Sequence, residues 1–279
     1  MGRIALIDGD ILLYSVGFSV DHNKYDVSLD GEFLHSFPSS KRLWDWIPYC
    51  SEEVLGGLTI EKRVESDPLP FAYHNLKQTI EGICRAVDAA EYEIYLTGKG
   101  NFRESIAVTK PYKGNRDPEA KPVYYQNIKD KLRSDYGAVI VDGQEADDML
   151  GIRYGELSGR GLDPIICTKD KDLNMIPGWH YNMNNGEIFN VTEEEGIKWF
   201  YKQLLTGDPV DNIQGIPKVG EKKASKILEG ICDGTAAYLS VQKEYIKAFG
   251  ETAEERLLEN GRLLWIRRKE GEEWQPPES

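Results

Sequence analysis

The amino-acid sequence predicts an α/β protein with a parallel sheet, and three observations carry that prediction. Continuous apolar runs at residues 3–7 and 164–168 are typical of strands that are buried on both faces. Segments with helical periodicity, such as residues 75–90, separate the runs along the chain. Acidic residues follow the runs directly, and ligands bind at the carboxyl ends of the strands in open α/β sheets.

The individual elements follow from the same patterns. We expect strands at residues 3–7, 24–29, 32–37, 92–96, 138–141, 164–168, 179–181 and 188–190, and helices at 11–20, 75–90, 123–136, 221–228 and 253–268. A capping box at residues 192–195 starts one further helix, and Asp30-Gly31 marks a hairpin turn. Residues 21–70 form a predicted insertion without recognisable chemistry.

The composition is that of a globular protein that can bury a full core. The chain has 279 residues, 40% of them hydrophobic, and a mean hydropathy of −0.50. No apolar run approaches the roughly 18 residues of a membrane span, and the first residues do not resemble a signal peptide. Four scattered cysteines predict reduced thiols in the cytosol. The net charge of −13 is unusual for a nucleic-acid enzyme, but binding depends on local patches.

Carboxylates cluster where three predicted strands end. They are Asp8 and Asp10 after residues 3–7, Glu145, Asp147 and Asp148 after residues 138–141, and Asp170 and Asp172 after residues 164–168. Asp8 could instead cap the next helix, and the middle group could interact with a helix dipole. Three carboxylates in one turn repel one another unless a cation collects them, so the pattern favours a metal site.

Residues 205–224 combine acids with a glycine hairpin. Asp208 and Asp211 are three residues apart, which predicts that both carboxylates share one face of a helical turn and suit a hard divalent cation. The hairpin, residues 215–220, leads into the predicted helix, and Gly220 would let a phosphate approach the N–H groups there. Its lysines are Lys218, Lys222, Lys223 and Lys226. The combination indicates metal-dependent phosphodiester chemistry, and a capped surface helix is the structural alternative.

Residues 99–121 are the one basic stretch with interleaved aromatic residues. Its cations are Lys99, Arg103, Lys110, Lys113, Arg116 and Lys121. Such a patch suits the backbone of single-stranded or frayed nucleic acid, and Tyr112 could stack on a base. A solvated loop is the alternative interpretation.

Together these motifs resemble the 5′→3′ exonuclease and flap endonuclease family, above all its bacteriophage branch, which is similar to the 5′-nuclease domain of bacterial DNA polymerase I. The matching segments occur in the family's order. They are Ile7-Asp8-Gly9, Gly98-Lys99-Gly100-Asn101-Phe102-Arg103, Tyr112-Lys113-Gly114-Asn115-Arg116, Glu145-Ala146-Asp147-Asp148, Lys169-Asp170-Lys171-Asp172 and residues 208–220. The resemblance implies a doubly wound, largely parallel, PIN-like sheet with helices on both faces and a C-terminal helix–three-turn–helix.

The resemblance also implies roles for individual residues. One metal would be held by Asp8, Glu145, Asp147 or Asp148, and Asp170, and a second by Asp170 or Asp172 with Asp208 and Asp211. Two Mg²⁺ ions about 4 Å apart, for which Mn²⁺ would substitute, would generate hydroxide and stabilise the leaving oxygen. Lys113 and Arg116 would contact the scissile phosphate. The expected DNA contacts are Arg103, Lys110, Tyr112, Gly215, Lys218, Gly220, Lys222 and Lys223.

The implied substrate is DNA with a free 5′ end or flap, or an RNA–DNA hybrid, cut during replication, recombination or repair. The hairpin would grip phosphates without reading sequence and would hold K⁺ through backbone carbonyls. We expect a monomer without membrane contact in the cytoplasm, or in the host cytoplasm if the chain is of phage origin. The expected domains are a nuclease core at 1–190, with the insertion and a clamp at 99–125, and a helical subdomain at 191–279.

One departure from the family concerns Thr97, because many relatives carry aspartate at that position. Asp10, where relatives often have a small or neutral residue, is expected to compensate. Which of Asp8 and Asp10 touches a metal therefore stays open.

Two other functions share some of these features. Haloacid dehalogenase phosphatases have acids like Asp8 and Asp10, but they usually carry threonine where this chain has Leu12, and they do not account for residues 145–148. A non-catalytic protein that binds DNA structures would keep the hairpin and the basic stretch but would lose acids that are present here.

Overall fold

The computed structural model describes residues 2–117 and 120–277, so positions 118 and 119 of the predicted clamp lie outside the described residues. The strands are β1 (Arg3–Asp8), β2 (Asp21–Leu29), β3 (Glu32–Phe37), β4 (Leu58–Ser66), β5 (Ala89–Asn101), β6 (Val139–Gly143), β7 (Pro164–Thr168), β8 (Gly178–Asn182), β9 (Ile188–Val191), β10 (Gly207–Asp208) and β11 (Ile213–Gln214). The helices are α1 (Gly9–Phe18), α2 (Ser40–Trp46), α3 (Glu52–Gly57), α4 (Leu69–Val87), α5 (Phe102–Ile106), α6 (Tyr125–Tyr136), α7 (Ala146–Gly159), α8 (Glu193–Thr206), α9 (Glu221–Ile227), α10 (Gly234–Phe249) and α11 (Ala253–Leu264).

The central sheet has six strands in the order β6-β5-β1-β7-β8-β9. Its strands pair in parallel except for β9, which runs antiparallel to β8. The two central strands are apolar because they are covered on both faces, and Leu6 and Ile166 are fully buried. The predicted fold class, a largely parallel α/β sheet, is confirmed. Because β1 and β7 pair in parallel, Asp8 and Thr168 end at the same edge of the sheet.

Contacts divide the chain into two compact units. The first comprises Met1–Leu12, Ile80–Ala120 and Leu132–Ser279, and the second comprises Leu13–Thr79 and Lys121–Lys131. The central sheet and the helices from α7 onwards belong to the first unit, and most of the predicted insertion belongs to the second. The expected domain boundary at residue 190 stays a prediction.

The second unit contains an antiparallel sheet in the order β3-β2-β4. The predicted turn between β2 and β3 is confirmed, because Asp30 and Gly31 both have positive φ. Val27, Phe37 and Leu43 form a small core. The sequence patterns missed β4, whose charged run Glu61-Lys62-Arg63 is atypical of a strand, and they missed α2 and α3 as well.

The C-terminal helices of the first unit pack around Phe200 and Tyr245, which are fully buried. The Tyr245 hydroxyl donates to the Leu204 carbonyl at 2.7 Å, and the Asn260 amide donates to that hydroxyl at 2.8 Å. The same amide donates to the Gln214 carbonyl at 2.9 Å. Helices α8, α10 and α11 are thereby tied to β11, which precedes the glycine hairpin.

Candidate active site

Asp8 lies at the carboxyl end of β1 and is buried. One of its oxygens accepts a hydrogen bond from the Ile11 N–H at 3.0 Å, and the other accepts from the Thr168 hydroxyl at 2.7 Å. Burial raises the pKa of Asp8 to about 7, and the charges of Asp10 and Asp170 contribute to the rise. Asp8 therefore caps α1 and also belongs to a crowded group of acids. The two interpretations of Asp8 from the sequence, as a helix cap and as a metal ligand, are thus compatible.

Asp10, in the first turn of α1, lies beside Thr97 of β5. The Thr97 N–H points to the Asp10 carboxylate at 3.2–3.3 Å, and the Thr97 hydroxyl accepts from the Ala146 N–H at 3.0 Å. Thr97 thus links β5 to the first turn of α7. Asp10 sits beside the acids as expected, and its compensating role stays a prediction.

The structure pairs Asp148 with Arg103 in the interior of the first unit. The guanidinium donates two hydrogen bonds to the Asp148 carboxylate, at 2.5 and 2.8 Å, and two more to the carbonyls of Leu263 and Trp265. Arg103 is 2% exposed and Asp148 is 0% exposed. The expectation that Arg103 contacts DNA is therefore corrected, because burial keeps it from the surface. The expectation that Asp148 binds metal is likewise not met, because Arg103 occupies its oxygens.

Asp147 and Glu145 stay close to the other acids at the start of α7. Burial raises the pKa of Asp147, and the charges of Asp8, Asp170 and Glu145 raise it further. Glu145 directs its carboxylate at the basic stretch, where Lys113 donates a short hydrogen bond to it. Glu145 and Asp147, two positions apart at the start of α7, therefore face different partners.

Asp170 and Asp172 follow β7, and Asp170 caps the 3-10 turn Lys171–Met175 by accepting from the Asp172 N–H at 2.9 Å. Asp172 accepts from the Gln203 amide at 2.7 Å. Burial raises the pKa of Asp172 to about 8, with contributions from Asp170, Asp208 and Asp211. Gln203 is 7% exposed, and no sequence signal singled it out.

Asp208 and Asp211 do not share a helical turn, which corrects the expectation from their spacing. Helix α8 ends at Thr206, because the next residue, Gly207, has a φ of 71° and leaves the helical region. Gly207 and Asp208 form β10, in which Asp208 pairs with Ile213. Asp211 lies in the turn that joins β10 to β11. A turn replaces the helix, yet both acids remain near Asp172, whose pKa they raise.

The basic stretch lies directly over two of the acids. The Tyr112 hydroxyl is 2.9 Å from Glu145 and 2.8 Å from Asp211, and its single proton can serve only one of them at a time. Arg116 donates to Asp211 at 2.5 Å, and the Lys113 ammonium is 3.6 Å from the same carboxylate. Although burial lowers the pKa of Lys113, the charges of Glu145 and Asp211 raise it overall. The ammonium is therefore held charged beside the acid cluster.

The glycine hairpin lies along an open cleft that also includes Lys110 and Asn212. Lys110, Lys218, Lys222 and Lys223 are exposed, as DNA contacts must be. A Cβ on Gly220 would meet no atom within 4 Å, so its backbone is open to a ligand at the start of α9. Gly215 differs from the expectation, because it is buried and a Cβ there would lie 2.2 Å from the Thr206 backbone. Its small size serves packing rather than DNA contact.

The collected acids fit a group of divalent cations by their chemistry. Their donors are carboxylate oxygens, which suit Mg²⁺ and Mn²⁺. Burial and, to a smaller extent, mutual repulsion raise the pKa values of Asp8, Asp147 and Asp172, and a bound cation would relieve that repulsion. Within residues 2–117 and 120–277, no three of these side chains already have the spacing of a metal-binding group. Several of the carboxylates instead accept hydrogen bonds from neighbouring donors.

Comparisons with known proteins agree with the motifs. No protein-family model matches the chain. The 5′-3′ exonuclease of Buchnera aphidicola subsp. Schizaphis graminum is 30% identical over 162 residues, which cover 54% of this chain and 56% of that protein. DNA polymerase I of Rhizobium leguminosarum is 33% identical over 130 residues, which cover 42% of this chain and 13% of the polymerase. Thermus aquaticus DNA polymerase I is 34% identical over 97 residues, which cover 32% of this chain and 12% of the polymerase. The chain thus spans only part of these relatives.

Solved structures of bacteriophage T5 proteins share the fold. A T5 flap endonuclease in complex with DNA and metal ions matches with a TM-score of 0.60 and 15% identity over 95% of this chain and 88% of that one. A T5 protein co-crystallised with metal ions matches with a TM-score of 0.58 and 16% identity over 94% and 89%. The chain is thus related in sequence to 5′-3′ exonucleases and DNA polymerase I, and it has the fold of the T5 5′-exonuclease. The resemblance predicted from the motifs is confirmed. Among the helices of the described residues, none is long and apolar enough to cross a membrane.

Proposed function

We propose that the protein is a metal-dependent 5′-nuclease that hydrolyses phosphodiester bonds at or near the 5′ ends of DNA. The observation that carries the proposal is the position of Lys113 and Arg116 against Glu145 and Asp211, at the margin of a cluster of buried and partly buried acids. Cations for a phosphate and carboxylates for metal ions are thus adjacent, as phosphodiester hydrolysis requires. Relatives and structural neighbours with nuclease names support the same reaction.

We assign the bound cations to the acids of the cluster other than Asp148, which is paired with Arg103. They are Asp8 or Asp10, Glu145, Asp147, Asp170, Asp172, Asp208 and Asp211. Bound Mg²⁺ or Mn²⁺ would supply an activated hydroxide and stabilise the leaving oxygen. Two bound divalent ions are part of the proposal, and structural neighbours that hold divalent metals support it.

The chain's own residues bind and orient the substrate. Lys113 and Arg116 stabilise negative charge on the reacting phosphate, while Thr168 and Gln203 fix the orientation of Asp8 and Asp172. Lys218, Lys222 and Lys223 contact phosphates of the duplex near the start of α9, without reading the sequence. Lys110 and the hairpin carbonyls border the cleft where K⁺ would bind.

The finer points of the proposal concern substrate and setting. The protein acts as a monomer on DNA with a free 5′ end or flap during replication, recombination or repair, with an RNA–DNA hybrid as a second substrate. It works in the cytoplasm, or in the host cytoplasm if the chain is of phage origin.

The test offers three substrates to the purified protein, each with Mg²⁺ or with EDTA. They are a 5′-labelled blunt duplex, a duplex with a 5′ flap, and p-nitrophenyl phosphate as a generic phosphate ester. The proposal expects cleavage of DNA at its 5′ end only with Mg²⁺ and no turnover of the ester. DNA binding without cleavage would favour a non-catalytic DNA-structure-binding protein, and turnover of the ester alone would favour a phosphatase.

A further inference from the structure

We propose that Asn115 and Asn212 form a reciprocal amide clasp that positions Lys113 for the cleavage step, an inference that rests on the function proposed above. The Asn115 side-chain amide donates to the Pro209 carbonyl at 2.7 Å. The Asn212 side-chain amide donates to the Pro111 carbonyl at 2.9 Å. Each asparagine therefore reaches across to the loop that carries the other.

A third hydrogen bond lies between these two. The Lys113 N–H donates to the Asp211 carbonyl at 3.0 Å, so the backbone of the basic stretch is joined to the turn after β10. Lys113 and Asn212 have φ values of 54° and 62°, in the left-handed region that most residues avoid. Such conformations persist when the surroundings hold them, and they cluster at functional sites.

The clasp acts on the lysine that the proposed reaction needs. A lysine side chain has many rotamers, and the position of its ammonium depends on where the backbone is fixed. Here the backbone is fixed on both sides of Lys113, and the ammonium reaches Glu145 with its side chain only 25% exposed. Precise placement of a charged group can change a rate without changing substrate affinity.

The chemistry of the two side chains is specific to asparagine. A carboxamide donates an N–H to a carbonyl, whereas aspartate has almost the same shape but only accepts when ionised. Asparagine also tolerates the left-handed backbone at position 212 better than most residues. Asn115→Asp therefore removes the donor at nearly constant shape, and Asn212→Gly removes the donor without strain.

The first measurement needs neither DNA nor metal. Trypsin is added to the protein in EDTA, and the rate of cleavage after Lys113 and Arg116 is followed by mass spectrometry. We expect each variant to be cut there about tenfold faster than the wild type, because the loop must open locally to be cut. Asn184→Ala, an exposed asparagine in the turn after β8, is the matched control and should behave as the wild type. Unchanged cleavage in both variants would overturn the clasp.

The second measurement separates positioning from general damage. Single-turnover cleavage of a 5′-flap substrate at saturating DNA with Mg²⁺ should fall about tenfold in each variant, with DNA affinity within about threefold of the wild type. In a Lys113→Ala background, Asn212→Gly should cost little more, because the lysine it positions is gone. The positioning role would be overturned if the losses in DNA-cleavage rate were fully additive in the double variant. It would also be overturned if the variants were digested faster by trypsin but cleaved DNA at the wild-type rate. A wild type without nuclease activity would instead refute the proposed function, and the trypsin result would still decide whether the clasp exists.

Discussion

The two halves of the acid cluster differ in what neutralises them. In the first half, the buried Asp8 and the partly buried Asp147 and Asp172 lie near one another, and loss of solvent contact together with repulsion raises their pKa values. In the second half, Glu145 and Asp211 contact Lys113, Arg116 and Tyr112. In the second half, the chain's own cations therefore neutralise the carboxylates, whereas the first half would gain most stability from divalent cations bound from solution.

The largest expected effect comes from removing one of the proposed metal ligands. Asp170→Asn or Asp147→Asn should lower the single-turnover cleavage rate at least about 1000-fold, because loss of a metal ligand raises the barrier by several kcal/mol and each ~1.36 kcal/mol is tenfold. DNA affinity should stay within a few fold. Asp88→Asn, an exposed acid with the same charge change, serves as control. Near-normal turnover in both variants would contradict the assignment of Asp147 and Asp170 as metal ligands.

The next largest effect concerns the buried ion pair of Arg103 and Asp148, which we assign neither to DNA contact nor to metal binding. Arg103→Met alone or Asp148→Leu alone should lower the free energy of unfolding by about 3–5 kcal/mol, because each leaves a buried charge without its partner. The double variant should recover part of that loss. Urea unfolding measures all three. If Arg103→Met is stable but binds DNA weakly, Arg103 contacts DNA after all.

The next prediction, of smaller size, separates an effect on the chemical step from an effect on DNA affinity. Lys113→Ala should lower the single-turnover rate about 100-fold even at saturating DNA, since its contact strengthens in the transition state. Lys222→Ala should keep the rate but weaken binding, and it should reduce the slope of affinity against salt by about one unit. Both properties are measured across a salt series on one flap substrate. If Lys113→Ala lowered only DNA affinity and Lys222→Ala lowered only the rate, the proposed position of the scissile phosphate beside Lys113 would be wrong.

The smallest effect on catalysis concerns Asp10. If it compensates for Thr97, Asp10→Ala should lower the cleavage rate about tenfold, less than Asp8→Ala, because the Asp10 carboxylate accepts from the Thr97 N–H whereas Asp8 is buried among the acids. The two variants are compared at saturating Mg²⁺. A nearly silent Asp10→Ala beside an inactive Asp8→Ala would mean that Asp10 only fixes the β5–α7 junction.

The sequence predicted the parallel sheet and the acids at its strand ends because both depend on local patterns, as at residues 3–8. It could not show that Arg103 is buried against Asp148, because that pairing joins residues 45 apart. It also misassigned the backbone of Asp208 and Asp211, since spacing alone does not reveal that Gly207 ends α8. Asn115 and Asn212 lay within recognised motifs, but only the folded chain brings their loops together.

The central claim is that the first half of the cluster binds divalent cations, and thermal unfolding at two pH values tests it most directly. Asp8 and Asp172 have folded pKa values of about 7 and about 8, above the unfolded value of about 3.9, so the unfolded chain releases these protons first. In EDTA, the protein should therefore lose stability as pH rises from about 5.5 to 8. Millimolar Mg²⁺ should raise the midpoint by several degrees at pH 8 and by less at pH 5.5, where protons compete for the carboxylates. An equal midpoint with Mg²⁺ and EDTA at pH 8, or a protein that gains stability with pH in EDTA, would contradict the account.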